Sequence, residues 1–254
     1  FDLLGAGGGF VGVDVFFVIS GYLITGIVWA QIQEGRFSIV EFYERRIRRI
    51  FPALIAVCGA TLLVAAVWHM PLDFKEFGES LFATATFSSN VYFYLKTGYF
   101  NGEAELRPLL HTWSLSVEEQ FYVLLPLVLL ASARVPAFLK WGLLGLAVAS
   151  FVAALIFIER DAQAVFFMIW FRAWELLIGS LLAVWARPAL GAGPRAVMGV
   201  GGLALIATAV WHYSSETKFP GATAVLPTVG AAAIIYAGGA GRHPAAWFLS
   251  LPVV

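Results

Sequence analysis

Long uninterrupted apolar runs are the feature that most limits what this chain can fold into. A helix needs about twenty apolar residues to cross the hydrocarbon core of a bilayer, and eight runs approach or reach that length. They cover residues 10–30, 50–68, 80–95, 115–133, 141–158, 164–186, 196–213 and 222–240, and a ninth begins near Ala245. These runs are longer and more continuous than the alternating strands of about ten residues in a membrane β-barrel. We therefore predict an all-α fold, a multi-pass transmembrane helical bundle.

Composition agrees with a membrane protein and excludes several kinds of site. Hydrophobic residues make up 60% of the chain and charged residues 13%, whereas a soluble domain has about 45–50% and about 25%. The lone cysteine, Cys58, excludes an intrachain disulfide and a cysteine-based metal site. We expect no metal, and the sequence has no basic, aromatic-interleaved surface of the kind that binds nucleic acid.

The two ends of the sequence predict a fragment of a longer protein. The chain opens on FDLLGAGGG, without an initiator methionine, and closes on SLPVV inside an apolar run. We expect residues 1–254 to form a single membrane domain, truncated at both ends, with about eight complete helices and part of a ninth.

A quarter of the sixteen basic residues stand in one short stretch, as Arg45, Arg46, Arg48 and Arg49. On a helix the four would lie within an arc of roughly 160°. One interpretation is a topology signal that binds anionic lipids, at about 1 kcal/mol per basic residue. Glu41 and Glu44 stand four residues before Arg45 and Arg48, where they can form ion pairs with them. The other interpretation is a dock for a polyphosphate such as coenzyme A, because guanidinium groups bind phosphate oxygens in pairs.

The arginine cluster also predicts orientation, because positive residues beside a membrane span favour the cytoplasmic side. Simple alternation of the spans then leaves nine Lys and Arg inside and six outside, with Arg172 within a span. A re-entrant element between residues 69 and 133 would flip the later loops and change the split to ten and five. The charge rule mildly favours the second arrangement.

Asp14, Arg172 and Glu175 stand within predicted spans, where a charge costs roughly 2.5–3.5 kcal/mol on insertion scales. Asp14 is alone near the start of the first span, and Arg172 and Glu175 lie three residues apart in the sixth. Asp14 can be an interfacial helix-start residue, and Arg172 and Glu175 can be a self-contained ion pair on one helix face. The alternative interpretation is that these ionisable residues face a protein interior or a water-filled cavity.

The densest polar stretch before a span is RPLLHTWSLSVEEQFYVLLPL, residues 107–127. Its candidate catalytic residues are His111, Ser114, Glu118 and Glu119, because carboxylates beside histidine at a membrane boundary suit acid–base chemistry. The alternative is an ordinary helix N-terminus, whose dipole favours acidic residues in the first turn.

Four blocks together resemble bacterial acyltransferase family 3, the integral-membrane O-acyltransferases. They are GGFVGVDVFFVISGYLIT (8–25), FYERRIRRIFPAL (42–54), LLHTWSLSVEEQFYVLLPL (109–127) and FRAWELLIGSLLA (171–183). The resemblance implies an enzyme of the bacterial cytoplasmic (inner) membrane. It would move an acyl group, most often acetyl, from cytoplasmic acetyl-CoA to a carbohydrate hydroxyl, for example on lipopolysaccharide or peptidoglycan.

The resemblance also implies roles for the candidate residues. The acyl-CoA phosphates would be bound by Arg45, Arg46, Arg48 and Arg49. The active cavity would be lined or braced by His111, Ser114, Glu118 and Glu119. The buried structural charges would be Asp14, Arg172 and Glu175. The family's catalytic histidine is expected upstream of this sequence. Its count of about ten helices with a cytoplasmic start agrees with simple alternation of the spans. We therefore predict simple alternation, against the mild preference of the charge rule. A transporter or flippase is the competing functional class, because intramembrane charges around a cavity serve transport equally well. A structural membrane scaffold is a third functional class.

Overall fold

The apolar runs form α-helices in the computed structural model, which describes residues 7–68, 71–97, 107–185, 190–214 and 217–238. No strand occurs among these residues, and six helical segments are long and apolar enough to cross a membrane. The prediction of an all-α, multi-pass membrane fold is confirmed. In chain order the helices are α1 (Gly12–Gln33), α2 (Ile39–Trp68), α3 (Pro71–Ala85), α4 (Ser89–Thr97), α5 (Thr112–Ser132), α6 (Pro136–Phe157), α7 (Ala162–Phe167), α8 (Ile169–Val184), α9 (Ala192–His212) and α10 (Val225–Gly238), with 3-10 turns at Gly7–Val11 and Ala222–Ala224.

Three predicted spans differ from the observed helices. The run 80–95 is not one span, because the chain turns at 86–88 and divides it between α3 and α4. The run 164–186 is interrupted at Met168, between α7 and α8. The run 222–240 begins with a 3-10 turn, and its α-helix has only 14 residues. The ninth run, near Ala245, lies outside the described residues.

One compact unit contains α2, α3, α4 and most of α5, within Gln31–Leu130 and Phe167–Ile169. α2 and α5 lie antiparallel: the Tyr43 hydroxyl donates to the Val123 carbonyl at 2.9 Å, and Arg46, one turn later on α2, binds Glu119, one turn earlier on α5. Because the chain direction is opposite in the two helices, they enter the bilayer from opposite sides.

α3 and α4 form a helical hairpin within this unit. Two contacts show that α4 packs back against α3: the Tyr92 hydroxyl donates to the Glu76 carbonyl at 2.9 Å, and Lys96 lies 3.0 Å from Glu79. The hydrogen bond from Lys96 lowers the pKa of the Glu79 carboxyl, and burial raises the pKa of Tyr92 to about 12. With 15 and 9 residues, each arm is shorter than the roughly twenty residues that a span requires.

The hairpin and the antiparallel pair together correct the simple alternation of spans. Alternation with a full span at 80–95 would make α2 and α5 parallel. The antiparallel pair instead agrees with the alternative in which a re-entrant element lies between residues 69 and 133. The distribution of Lys and Arg mildly favoured this alternative.

The other compact unit contains most of α1 together with α6, α7, most of α8, α9 and α10. Glycines let its helices approach closely, as is usual for helix packing in membranes. A Cβ atom on Gly21 would overlap the backbone of Leu176, and one on Gly179 would overlap the backbone of Val18. The α1–α8 contact is completed by a hydrogen bond of 2.7 Å from the Thr25 hydroxyl to Ser180.

This close approach makes Gly179 sensitive to a single added methyl group. We expect Gly179→Ala to destabilise the protein by about 1–3 kcal/mol, the range for forcing extra atoms into a packed interface. The matched control is Gly145→Ala in α6, where the added Cβ meets nothing within 4 Å and helix propensity improves. Thermal unfolding in detergent micelles measures both. Equal midpoints for the two variants would contradict the close α1–α8 contact.

Candidate active site

One face of α5 carries polar side chains that hold the α3–α4 hairpin. Thr112, Ser116 and Gln120 are spaced by four residues, so they lie on one face of the helix. Thr112 lies 3.0 Å from the Thr84 hydroxyl, and Ser116 lies 2.8 Å from the Ser89 hydroxyl. All except Gln120 are buried. These bonds fix the hairpin tip against α5 and satisfy hydroxyl groups that would be costly to bury unbonded.

The amide of Gln120 extends this polar contact to the hairpin tip. Its Nε2 donates to the Asn90 side-chain oxygen at 2.9 Å and to the Phe87 carbonyl at 3.0 Å. Asn90 in turn donates to the Phe167 carbonyl at 3.2 Å. The tip is therefore bonded to the helix turn that carries the two glutamates.

Arg46 and two glutamates form a largely buried charge cluster in this unit. The Arg46 Nε lies 2.9 and 3.0 Å from the two carboxylate oxygens of Glu119, and its Nη2 lies 2.5 Å from Glu119 Oε1. The same Nη2 is 3.7 Å from Glu118. The Tyr122 hydroxyl donates to Glu118, and the Arg46 guanidinium carbon lies 3.4 Å from the centroid of the Tyr122 ring. Only 12% of the Arg46 side chain and 11% of the Glu119 side chain are exposed, so these charges interact in a largely water-excluded place.

A cavity of about 310 Å³ opens beside this cluster. Arg46, Glu119, Gln120 and Tyr122 contribute polar lining, together with Tyr43 and Thr86. The rest of the lining is apolar and comes from Ile47, Ile50, Phe51, Phe87 and Val123. A cavity that joins a few convergent polar groups to apolar walls is the usual form of a small-molecule site.

The four arginines of the cluster do not share one environment. Arg45 and Arg48 pair with Glu41 at 3.1 Å and Glu44 at 2.6 Å, as their spacing predicts. These two arginines and Arg49 are exposed. Arg46 is instead turned toward α5. The structure thus separates an exposed basic surface, formed by Arg45, Arg48 and Arg49, from a single buried guanidinium.

The four candidate catalytic residues of the polar stretch also divide into two places. Glu118 and Glu119 are buried within the cluster with Arg46. His111 is exposed in the turn before α5, and the Ser114 hydroxyl donates to the His111 carbonyl at 3.2 Å. Seven residues separate His111 from Glu118, which is about 10 Å along the helix axis. The structure does not bring His111 and Ser114 into the charge cluster.

A second charge cluster lies in the unit that contains α1 and α8. Arg172 Nη1 is 3.3 Å from Asp14 and 3.2 Å from Glu175, and all three side chains are fully buried. Its guanidinium carbon lies 5.6 Å from the ring centroids of both Phe17 and Phe219. The Arg172–Glu175 pair is therefore not self-contained, because Asp14 of α1 shares the guanidinium. Asp14 lies in the first turn of α1. Its side chain is fully buried, which does not fit an interfacial position.

Sequence reasoning missed the contribution of the hairpin to the site. Thr84, Phe87, Ser89 and Asn90 fall inside a run that resembled a membrane span. The available signal was TATFSSN, residues 84–90, since five of its seven side chains are polar. The matching i, i+4, i+8 spacing of Thr112, Ser116 and Gln120 was also visible.

Comparison with known proteins agrees with the resemblance of the four sequence blocks. The family model described as an acyltransferase domain, acyltransferase family 3, matches residues 2–252. No solved structure matches the chain.

Several known proteins are similar in sequence. An uncharacterized protein of Haemophilus influenzae is 34% identical over 240 residues, which cover 88% of this chain and 97% of that protein. Peptidoglycan O-acetyltransferase OatA of Listeria monocytogenes is 33% identical over 215 residues, which cover 78% of this chain and 33% of OatA. O-acetyltransferase OatA of Staphylococcus aureus is 34% identical over 189 residues, which cover 72% of this chain and 31% of that protein.

The matched region thus spans nearly the whole Haemophilus relative but only about a third of each O-acetyltransferase. The family match, by contrast, includes both charge clusters and the arginine-rich start of α2. The chain therefore belongs to acyltransferase family 3, as a multi-pass membrane acyltransferase domain.

Proposed function

We propose that this domain transfers an acyl group, in the first instance acetyl, from acyl-CoA to a hydroxyl group of a cell-envelope or exported carbohydrate. The proposed location is the bacterial cytoplasmic membrane. The observation that carries the proposal is the cavity beside Arg46, Glu118, Glu119 and Tyr122, in a family of acyltransferases. The names of two relatives, which are O-acetyltransferases, support a hydroxyl acceptor.

The reaction needs a proton acceptor, a polarised thioester and a place for both substrates. A base removes the proton of the acceptor hydroxyl, the oxygen attacks the thioester carbonyl carbon, and the carbon–sulfur bond breaks to release CoA as its thiol. The family resemblance implies a histidine as this base. Glu118 and Glu119 orient that base or the acceptor hydroxyl, and Arg46 holds Glu119 in place through its hydrogen bonds.

The antiparallel register of α2 and α5 suggests separate routes for the two substrates. The exposed basic surface of Arg45, Arg48 and Arg49 lies near the start of α2, and the His111 turn precedes α5. The cavity is lined by residues on the same turns of α2 as this basic surface. With the basic end in the cytoplasm, acyl-CoA would bind at the arginines with its thioester in the cavity. The acceptor would then approach from the side of His111.

The CoA role of the exposed arginines has a direct test. We expect the double variant Arg45→Ala/Arg48→Ala to weaken acyl-CoA binding by about tenfold, because charge-assisted hydrogen bonds to phosphate contribute about 1.5–3 kcal/mol each before screening. The difference should shrink at high salt. Isothermal titration of the purified full-length protein measures the dissociation constant at low and high salt. Arg36→Ala is the control, since Arg36 is exposed and its partner is Glu34. Unchanged affinity in the double variant would return the arginines to a topology signal.

Acyl transfer itself is tested with labelled donor. Membranes that contain the full-length protein, when supplied with acetyl-CoA labelled in its acetyl group, should place label on envelope glycans. A transporter or flippase would instead move substrate across vesicles without labelling any glycan. A structural scaffold predicts that Glu118→Ala changes only protein abundance, so loss of label at normal abundance excludes it.

A further inference from the structure

The tip of the α3–α4 hairpin holds an aromatic residue in an unfavourable backbone conformation. Phe87 has φ of 52°, and among the described residues it is the one non-glycine residue with positive φ. Bulky residues are rare in this left-handed region, where glycine and asparagine are preferred. Such strain costs on the order of 1–3 kcal/mol and is frequent at ligand sites. A turn alone would be more stable with glycine, so the aromatic side chain needs another explanation.

Three contacts hold the Phe87 backbone and ring in place. Its amide donates to the Thr84 carbonyl at 3.1 Å, and its carbonyl accepts the hydrogen bond of 3.0 Å from Gln120. Its ring meets the Phe51 ring edge-on, with the centroids 6.1 Å apart. Because Gln120 is next to Glu119 in the sequence, the ring position is coupled to the helix turn that carries the glutamate.

Both rings line the cavity beside Glu119. An acyl thioester has a polar carbonyl group and an apolar chain, and the cavity lining has both polar and apolar residues. The carbonyl group matches Arg46 and Glu119, and the chain matches Phe51 and Phe87. The volume of about 310 Å³ lies at the lower limit of the usual range for ligand cavities, about 300–1,000 Å³, which suits a small acyl group.

We infer that Phe87, together with Phe51, closes the apolar end of the cavity and limits the length of the acyl group that the enzyme transfers. This inference rests on the proposed acyltransferase function. It assigns Phe87 as a specificity-determining residue for the donor and accounts for an aromatic ring at a position that favours glycine.

The experiment compares donors of different length in variants that remove a ring. Membranes that contain the full-length protein receive acetyl-CoA, butyryl-CoA or hexanoyl-CoA, each labelled in the acyl group, and label on glycans is measured per amount of protein. The wild type should prefer acetyl. Phe87→Gly, which also relieves the positive φ, should raise the hexanoyl-to-acetyl ratio by about fifteenfold, the contribution of two newly buried methylenes at about fourfold each.

A second variant and a control separate the outcomes. Phe51→Ala enlarges the same cavity without altering the hairpin turn and should shift the ratio in the same direction. Phe82→Ala, on a side chain of α3 that is 70% exposed and outside the cavity lining, should leave the ratio unchanged. If both cavity variants still transfer acetyl with the wild-type ratio, the inference is overturned and the proposed function stands. Loss of all three transfers in Phe87→Gly at normal abundance, with no change of ratio in Phe51→Ala, also overturns it. If the wild type labels no glycan from any donor, the proposed function fails and the inference fails with it.

Discussion

At saturating acyl-CoA, Arg46→Ala should nearly abolish acyl transfer and should destabilise the protein, whereas Arg48→Ala, two residues away, should change neither much, because its expected effect is on acyl-CoA binding. The Arg46 guanidinium is shared by Glu118 and Glu119 and is 12% exposed. Removing one partner of a buried ion pair costs about 3–5 kcal/mol, because it leaves uncompensated charge in a low-dielectric environment. Arg48 and Glu44 have 77% and 53% of their side chains exposed, and an exposed pair contributes about 0–1 kcal/mol.

The transfer rate should fall by about a hundredfold or more in Arg46→Ala, the typical contribution of groups that position acid–base chemistry. Arg46→Lys keeps the charge but loses the paired hydrogen bonds of the guanidinium. Its transfer rate should therefore lie between those of the wild type and Arg46→Ala. Unfolding midpoints in detergent and label transferred per amount of protein measure the two effects separately. Equal midpoints and equal rates for Arg46→Ala and Arg48→Ala would mean that the buried position of Arg46 has no consequence.

A double variant distinguishes the electrostatic effect from the catalytic one. Arg46→Met/Glu119→Gln removes one charge of each sign and keeps similar volumes, so it should regain much of the stability lost in Arg46→Ala. It should regain no transfer, because the carboxylate of Glu119 is gone. Recovery of transfer in the double variant would show that Glu119 has no part in the chemistry.

Features within one helix or between adjacent residues were predictable from the sequence. The apolar runs predicted most of the helices, and the four-residue spacing predicted the pairs Glu41–Arg45 and Glu44–Arg48. Charge and hydropathy patterns predict such contacts within a helix because a helix brings residues three and four apart into contact. The apolar run began at residue 50, whereas α2 begins at Ile39 and includes the arginine-rich stretch. The arginines lowered the local hydropathy without breaking the helix.

Contacts between distant segments were not predictable in the same way. Arg46 and Glu119 are 73 residues apart, and nothing in their local sequence distinguishes Arg46 from its three neighbours as the buried arginine. The position on α2 that faces α5 depends on how the two helices pack. The hairpin was missed for a related reason: averaging hydropathy over residues 80–95 concealed a turn of three residues. The side chains that flank this turn, Thr84, Ser89 and Asn90, bond to α5.

Arg172→Met should be as damaging to stability as Arg46→Ala, and by the same mechanism in the other compact unit. Arg172, Asp14 and Glu175 have no exposed side-chain surface, and the guanidinium lies between the two carboxylates. Methionine fills a similar volume but supplies no charge, so both carboxylates lose the guanidinium in a buried environment. We expect a loss of about 3–5 kcal/mol, seen as a lower unfolding midpoint and a smaller yield of protein in the membrane. Arg160→Met is the control, because Arg160 is exposed in the turn after α6.

The neutral triple variant Asp14→Asn/Arg172→Met/Glu175→Gln decides what the cluster is for. Replacing a whole buried ionic group by neutral residues of similar volume is often neutral or stabilising, so the triple variant should be more stable than Arg172→Met alone. If it is also as active as the wild type, the three charges only hold α1 and α8 in register. If it is stable but inactive, the charges take part in transfer and not only in packing. A triple variant less stable than Arg172→Met would contradict the electrostatic account, because removing the two carboxylates would then have made the protein worse.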